Sequence, residues 1–356
     1  MKMEDSTQPI RTGEDFDFRA VERYLRDSIP DLRGPLTVTQ FPGGHSNLTY
    51  LLSFDGRELV LRRPPFGRKA KSAHDMGREY RIQKALQPIF PYCPKPLAYM
   101  EDESVIGSPF YVMERIRGII LRRQLPAGLT FSPEEARKLC ENVIDVQVEL
   151  HHVDYRKAGL ENFGKPDGYV RRQVEGWSER YRQARTEDAP DCEGVMAWLA
   201  DKMPGEAGGV SVIHNDYRLD NLVLAHQDPM KILGVLDWEM ATIGDPLMDL
   251  GGSLAYWVDR FDSPEMQMIS MVPTTAMPGA LTRAEMIERY ALKMGIRIDN
   301  IDFYYVFGLF RLGVIAQQIY YRYFHGQTKD ERFKAMIIAV TILEQTARQV
   351  IAASKL

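Results

Sequence analysis

SVIHNDYRLDNLVLAHQDPMKILGVLDWE, residues 211–239, alternates short apolar runs with polar loops. Val212 and Ile213 close an apolar run, and the loop after them supplies His214, Asp216, Arg218, Asp220 and Asn221. Leu222, Val223 and Leu224 form an apolar strand, and a turn at 226–230 reverses the chain. Ile232, Leu233, Val235 and Leu236 then lead back to Asp237, Trp238 and Glu239. A hairpin brings its flanking loops to one end of its strands, so Asp216, Asn221 and Asp237 are expected to converge. Two carboxylates and an amide oxygen make an oxygen-rich set, the kind that takes a hard cation such as Mg²⁺.

Around this stretch lie 356 residues, a length that suits two domains or one large one. The hydrophobic share of 44% and charged share of 26% are ordinary for a globular protein. A net charge of −4 offers no broad attraction for nucleic acid or an anionic membrane. Basic residues gather only locally, at Arg62, Arg63, Arg68, Lys69 and Lys71. Cys93, Cys140 and Cys192 lack metal-ligand spacing, and their sparse, odd number suits a reducing compartment. Residues 1–17 lack the apolar core of a signal peptide, and apolar runs such as 335–340 are too short to span a bilayer. The expectation is a cytoplasmic protein without a membrane or nucleic-acid partner, its oligomeric state open.

Upstream, Phe18, Val21 and Leu25 recur at helical spacing and predict a helix over 16–28. Strands are expected at 36–41, 48–53, 58–62, 96–100 and 110–114, with Asp55-Gly56 as a hairpin turn. A helix over 72–86 carries Glu79. Pro42 to Asn47 is glycine-rich. Gly43 and Gly44 let backbone approach a phosphate, and Ser46 and Asn47 add donors. Taken alone it reads as a hairpin loop; a basic residue, Arg62, one hairpin later favours the phosphate reading.

Downstream the pattern turns helical. Ser132-Pro133-Glu134-Glu135 opens a helix by capping box, and His151 and His152 close it. Paired histidines there suit the helix dipole better than a metal. Further helices are expected at 168–185, 195–203, after Asp245-Pro246, after Thr282, at 300–324 and at 330–352. Residues 263–279 read as irregular and hold Met266, Met268, Met271 and Met277, either a core-facing loop or a lid over a greasy substrate.

The order His214-x-Asp216-x-x-x-x-Asn221, followed by Asp237 after a hairpin, resembles the catalytic centre of protein-kinase-like phosphotransferases, closest to the aminoglycoside phosphotransferase branch. HNDYRLDNL, LDWEMATIGDPLMDL, GGHSNLTYLL and LVLRRPP are similar to one subgroup, related to the domain fused to some acyl-CoA dehydrogenases in animals. No stretch reads as a flavin-binding dehydrogenase fold. The resemblance implies an α+β, two-lobed protein-kinase-like fold. Residues 1–114 would form a nucleotide-binding lobe with a five-stranded antiparallel sheet, and 115–356 a mainly helical catalytic and substrate-binding lobe. It implies ATP and Mg²⁺ as cofactors and a small-molecule acceptor.

By the same resemblance, Asp216 accepts the acceptor's proton, while Asn221 and Asp237 bind Mg²⁺. Arg218 stabilises the transferred phosphoryl, His214 holds the loop and Asp249 braces it. Arg62, where the wider family has Lys, pairs with Glu79 and the phosphates alongside Gly43, Gly44, Ser46 and Asn47, or else Arg63 or a loop residue takes that part. Met113 and Glu114 form the connection where adenine meets backbone. Glu239 adds to the metal site or binds substrate, and the last helices flank the acceptor. The implied function is transfer of the γ-phosphate of ATP to a hydroxyl of a small molecule, of hydroxyacyl type. The alternatives are a catalytically weak nucleotide-binding module serving a partner, or an aminoglycoside- or choline-type kinase.

Overall fold

A computed structural model describes residues 6–42, 47–65, 75–205 and 209–356. The chain divides into two compact units, residues 1–120 with 220–241 and residues 121–219 with 242–356. It passes from the second unit to the first between Leu219 and Asp220, inside the polar loop quoted above.

In the first unit, Asp17 caps α1 (Phe18–Ser28) by accepting from the Ala20 amide. There follow β1 (Thr37–Gln40), β2 (Leu48–Phe54), β3 (Arg57–Arg63), α2 (Met76–Leu86), β4 (Pro96–Met100) and β5 (Phe110–Glu114). They form the expected five-stranded antiparallel sheet, in the order β1-β2-β3-β5-β4. Alternation along β3 sends its side chains to opposite faces. Leu59 and Leu61 join Val21 and Leu25 of α1 in one core cluster. Val60 joins Met76 of α2, Tyr111 and Met113 in another. Arg62 therefore falls on the α2 side and Arg63 on the α1 side. Helix α2 sits close because Gly77 carries no side chain; a Cβ there would lie 2.7 Å from the Tyr99 hydroxyl.

The second unit opens with α3 (Pro133–His151), whose Ser132–Glu135 capping box forms as predicted. Next come α4 (Tyr169–Ala184), α5 (Glu193–Asp201) and β6 (Ser211–Ile213). The chain then contributes the hairpin β7 (Leu222–Leu224) and β8 (Ile232–Val235) to the first unit. Back in the second unit, β9 (Thr242–Gly244) pairs antiparallel with β6. The helices α6 (Pro246–Tyr256), α7 (Pro264–Ile269), α8 (Arg283–Met294), α9 (Ile301–Phe324) and α10 (Met336–Ala353) follow. Helices α6 and α9 cross at near backbone contact: a Cβ on Gly308 would lie 2.1 Å from the Gly251 carbonyl oxygen.

Two expectations need correction. Residues 263–279 are not wholly irregular. Ser263 accepts from the Met266 amide and caps α7, with Pro264 in the first turn, the same device that starts α3. A short 3₁₀ turn, Pro273–Ala276, follows. Met266 is buried while Met268 and Met271 stand exposed. The second correction concerns length. By composition alone the helical stretch Glu331–Ala353 is long and apolar enough to cross a bilayer, with mean hydropathy 1.3 in an 18-residue window. Counting only unbroken apolar runs missed it, because Thr, Glu and Gln interrupt the sequence without breaking the helix. Its Val340, Leu343 and Ala347 are buried, and it packs along α9.

Candidate active site

In the first unit the site is built around Arg62. From the α2 face of the sheet its guanidinium reaches Glu79 of α2 at 3.0 Å and Asp237 at 2.8 Å. Glu239 lies 4.0 Å away. Glu79 is 1% exposed, buried beneath the guanidinium it pairs with. Burial works against the Arg62 charge, but Glu79 and Asp237 outweigh it and hold its pKa well above the ordinary range. Burial raises Glu79 above the usual carboxylate range, with Arg62 opposing. Arg63 is buried on the other face, where desolvation lowers its pKa beside Tyr50.

The β7–β8 hairpin brings Asn221 and Asp237 to one end. Leu222 pairs with Val235, and the Leu236 amide donates to the Asn221 carbonyl at 2.8 Å. Asp237 adopts a left-handed backbone, φ 69°, which turns its carboxylate out of the strand direction. Trp238 anchors that bend, its indole donating to the Val235 carbonyl at 2.8 Å and its ring meeting Phe90 edge-on. Asn47 donates from its side-chain amide to Glu239 at 2.6 Å, a link that the sequence did not suggest. Among the described residues no three His, Cys, Asp or Glu side chains could hold a metal by themselves. The Asn221 amide and the Asp237 carboxylate suit Mg²⁺, which shares few protein oxygens with phosphate and water.

In the second unit the loop after β6 hangs on Asp249 of α6. One carboxylate oxygen accepts from the Asn215 amide at 2.6 Å, and the other from the His214 amide at 3.0 Å. His214 is buried, and its Nδ1 accepts from the Asp216 amide at 3.2 Å. Asn215 is left-handed, φ 63°, and its side-chain oxygen accepts from the Tyr169 hydroxyl at 3.2 Å. Arg218 approaches Asp216 at 3.5 Å and lies over the Tyr256 ring.

His151 was expected to serve as a helix-end partner. Instead it is buried between two side chains, its Nε2 3.0 Å from Asp249 and its Nδ1 2.7 Å from the Tyr290 hydroxyl. Burial would raise the Asp249 pKa, but the His151 hydrogen bond and the nearby His214 hold it below the usual carboxylate range. Burial pushes the Tyr290 phenol up, so it stays protonated and can donate. The Ser211 hydroxyl donates to the His151 carbonyl at 2.8 Å. The start of the loop is therefore held from α3 and α6.

Gly43, Gly44 and Ser46 lie outside the described residues, as do Arg68, Lys69 and Lys71. Met113 and Glu114 end β5, paired with Val60 and Leu59. The Glu114 amide is engaged by the Lys95 carbonyl at 2.9 Å, so a nucleobase at this connection would meet other groups. Asp245 caps α6, as its position before Pro246 suggested.

Comparison with known proteins places the chain. The sequence profile described as the phosphotransferase enzyme family, APH, matches residues 37–274. Acyl-CoA dehydrogenase family member 10 of mouse is 38% identical over 91% of this chain, a match that spans 30% of the mouse protein. The chain spans less than half the length of the curated relatives it matches. A solved Ralstonia eutropha protein, assigned to the aminoglycoside phosphotransferases, is 32% identical with a TM-score of 0.82, covering 96% of this chain and all of that one. A choline kinase from Cryptosporidium parvum shares the fold at 12% identity and a TM-score of 0.63, over 95% of this chain and 96% of its own. The antiparallel five-stranded sheet and mainly helical remainder of this chain thus make a kinase-like fold. The chain belongs to the phosphotransferase enzyme family.

Proposed function

We propose that the chain moves the γ-phosphoryl group of ATP, with Mg²⁺, to a hydroxyl of a small hydroxyacyl-type molecule. One observation carries the reading: Arg62 joins a buried helix carboxylate, Glu79, to the hairpin-end Asp237. Phosphoryl transfer asks for such a cation beside a metal-holding carboxylate. Residues 1–114 would bind nucleotide through Gly43, Gly44, Ser46, Asn47, Arg62 and Glu79, with the base near Met113 and Glu114. Asn221 and Asp237 would hold Mg²⁺, which when bound neutralises charge on the phosphates. In 115–356, Asp216 takes the proton of the attacking hydroxyl, Arg218 offsets charge on the moving group, and His214 fixes the loop. The acyl character of the acceptor rests on the names of the longer relatives. Three buried free thiols, Cys93, Cys140 and Cys192, fit a reducing cytoplasm.

The second reading, a weak nucleotide-binding module, draws on Arg62 standing where a Lys is usual and already sharing Asp237. Labelled ATP with Mg²⁺ and a panel of hydroxylated metabolites separates the two. Label transferred to a hydroxyl supports the kinase. Binding of MgATP in a thermal-shift assay without any transfer supports the module, and no binding at all defeats both.

A further inference from the structure

Buried cations in this protein have anionic partners in several places. Arg62 has Glu79 and Asp237, and Arg283 has Asp262. Arg311 of α9 differs. It is 7% exposed, and among the described residues its recorded partner is the ring of Trp177 on α4, 5.3 Å below the guanidinium, with no carboxylate and no hydrogen-bond acceptor. A nearly buried charge without a counterion is costly, and an anionic ligand reaching its accessible nitrogens would offset that cost.

Its surroundings lead to the catalytic loop by two routes. The α6–α9 crossing places an Arg311 amino group 3.6 Å from where a Cβ on Gly252 would stand. One helical turn along the same face of α6 is Tyr256, under the guanidinium of Arg218 at 4.8 Å, and Arg218 in turn approaches Asp216. The other route runs along α4, from Trp177 to Tyr169, which donates to Asn215 next to Asp216. Burial lifts the Tyr169 phenol to about 12, and the Arg311 charge is among the effects pulling against it.

We infer that Arg311 binds an anionic group of the acceptor, a carboxylate or a phosphate, against the face of Trp177. The inference rests on the kinase reading only for the acceptor's hydroxyl; the anion site stands without it. A guanidinium fork matches either anion through two parallel hydrogen bonds. The acceptor class is then a hydroxylated organic anion. A polycationic acceptor would be repelled by Arg311 and Arg218 together.

The test uses the full chain labelled with 5-fluorotryptophan and no nucleotide. The Trp177 ¹⁹F resonance is assigned through Trp177→Phe and followed during titration with 3-hydroxybutyrate, glycerol 3-phosphate and uncharged 1,3-butanediol. The expected result is a saturable shift with one or both anions and none with the diol; the anion that saturates first tells carboxylate from phosphate. Arg311→Gln should weaken that binding about 10- to 100-fold, the loss of a charge-assisted pair, and Arg311→Lys should recover part of it. A Trp177 resonance unmoved by either anion overturns the site, as does Arg311→Gln binding like the wild type. If Arg311→Gln does not fold, the wild-type titration decides alone. A thermal-shift assay with MgATP runs in parallel: anion binding without nucleotide binding defeats the kinase reading and leaves the Arg311 site standing.

Discussion

Asp237 and Asn215 both adopt left-handed backbone, at φ 69° and 63°, yet different forces hold them. Asp237 faces a cation, Arg62, which also serves Glu79. Asn215 is held through its amide by Asp249, and that carboxylate by His151. The first unit thus balances charges, and under the proposed function a metal or phosphate would enter by replacing one partner with another. The second fixes a backbone with directional hydrogen bonds, which have no such substitute. Side-chain changes in the first unit should therefore register as ligand affinity. Changes in the second should register as rate or stability.

Removing the carboxylate held by the rigid half tests this most strongly. Asp216→Ala should lower phosphoryl transfer by about 10²- to 10⁴-fold, the range for loss of a general base. MgATP affinity should stay within about twofold, since this carboxylate is assigned to the acceptor hydroxyl and not to the nucleotide. Isothermal titration beside initial rates reads both. An equal loss of affinity would erase the distinction between the halves.

Asp249→Ala comes next. It strands the His214 and Asn215 amides and the His151 ring nitrogen, and should cost about 3 kcal/mol of stability. The pH dependence follows from the direction of the shift. The Asp249 pKa is lowered in the folded chain, so its contribution is complete above the unfolded carboxylate range. It fades as pH falls through the folded value. Denaturation curves of wild type and variant should stay apart at neutral pH and converge only below about pH 4. Convergence already at pH 6 would mean that the carboxylate does not carry the effect.

Asp237→Ala probes the exchangeable half. It removes one of the oxygens proposed to hold Mg²⁺ and should weaken MgATP binding about 10- to 100-fold. Arg62 keeps Glu79, so the melting temperature without ligand should move little. A large drop without ligand would show that the Arg62–Asp237 pair is structural.

These differences also explain what could be read beforehand. The sheet was legible because residues 36–41 alternate and Asp55-Gly56 marks the turn before β3, and Arg62 followed from its place on that third strand. Capping residues located α3 and α8. The Ser263-Pro264-Glu265 cap of α7 was equally visible and was outweighed by the methionines around it. The passage between units at Leu219–Asp220 left no trace, because it occurs inside one polar loop with no change in composition. His151 was misjudged because its partners, Asp249 and Tyr290, belong to α6 and α8, far along the chain. In the sequence Arg311 is one charge within the apolar helical stretch 300–324. That signal does not say whether the charge is exposed, paired or bare.

The smallest change removes a single oxygen from the rigid half. Asp249 is ionised and accepts from two backbone amides, so His151 must present a protonated Nε2 to it. With the ring proton on Nε2, Nδ1 accepts the Tyr290 hydroxyl at 2.7 Å. Tyr290→Phe leaves that nitrogen bare, and the tautomer with the proton on Nδ1 becomes competitive. In it Nε2 turns a lone pair toward the Asp249 carboxylate and loosens the loop. The expected cost is about 1 kcal/mol, or roughly fivefold in kcat, with KM for nucleotide unchanged. Nitrogen-15 shifts of the His151 ring report the tautomer directly. A ring that keeps its proton on Nε2 in Tyr290→Phe, with kcat intact, would show that Asp249 alone orders the loop and that α8 contributes packing only.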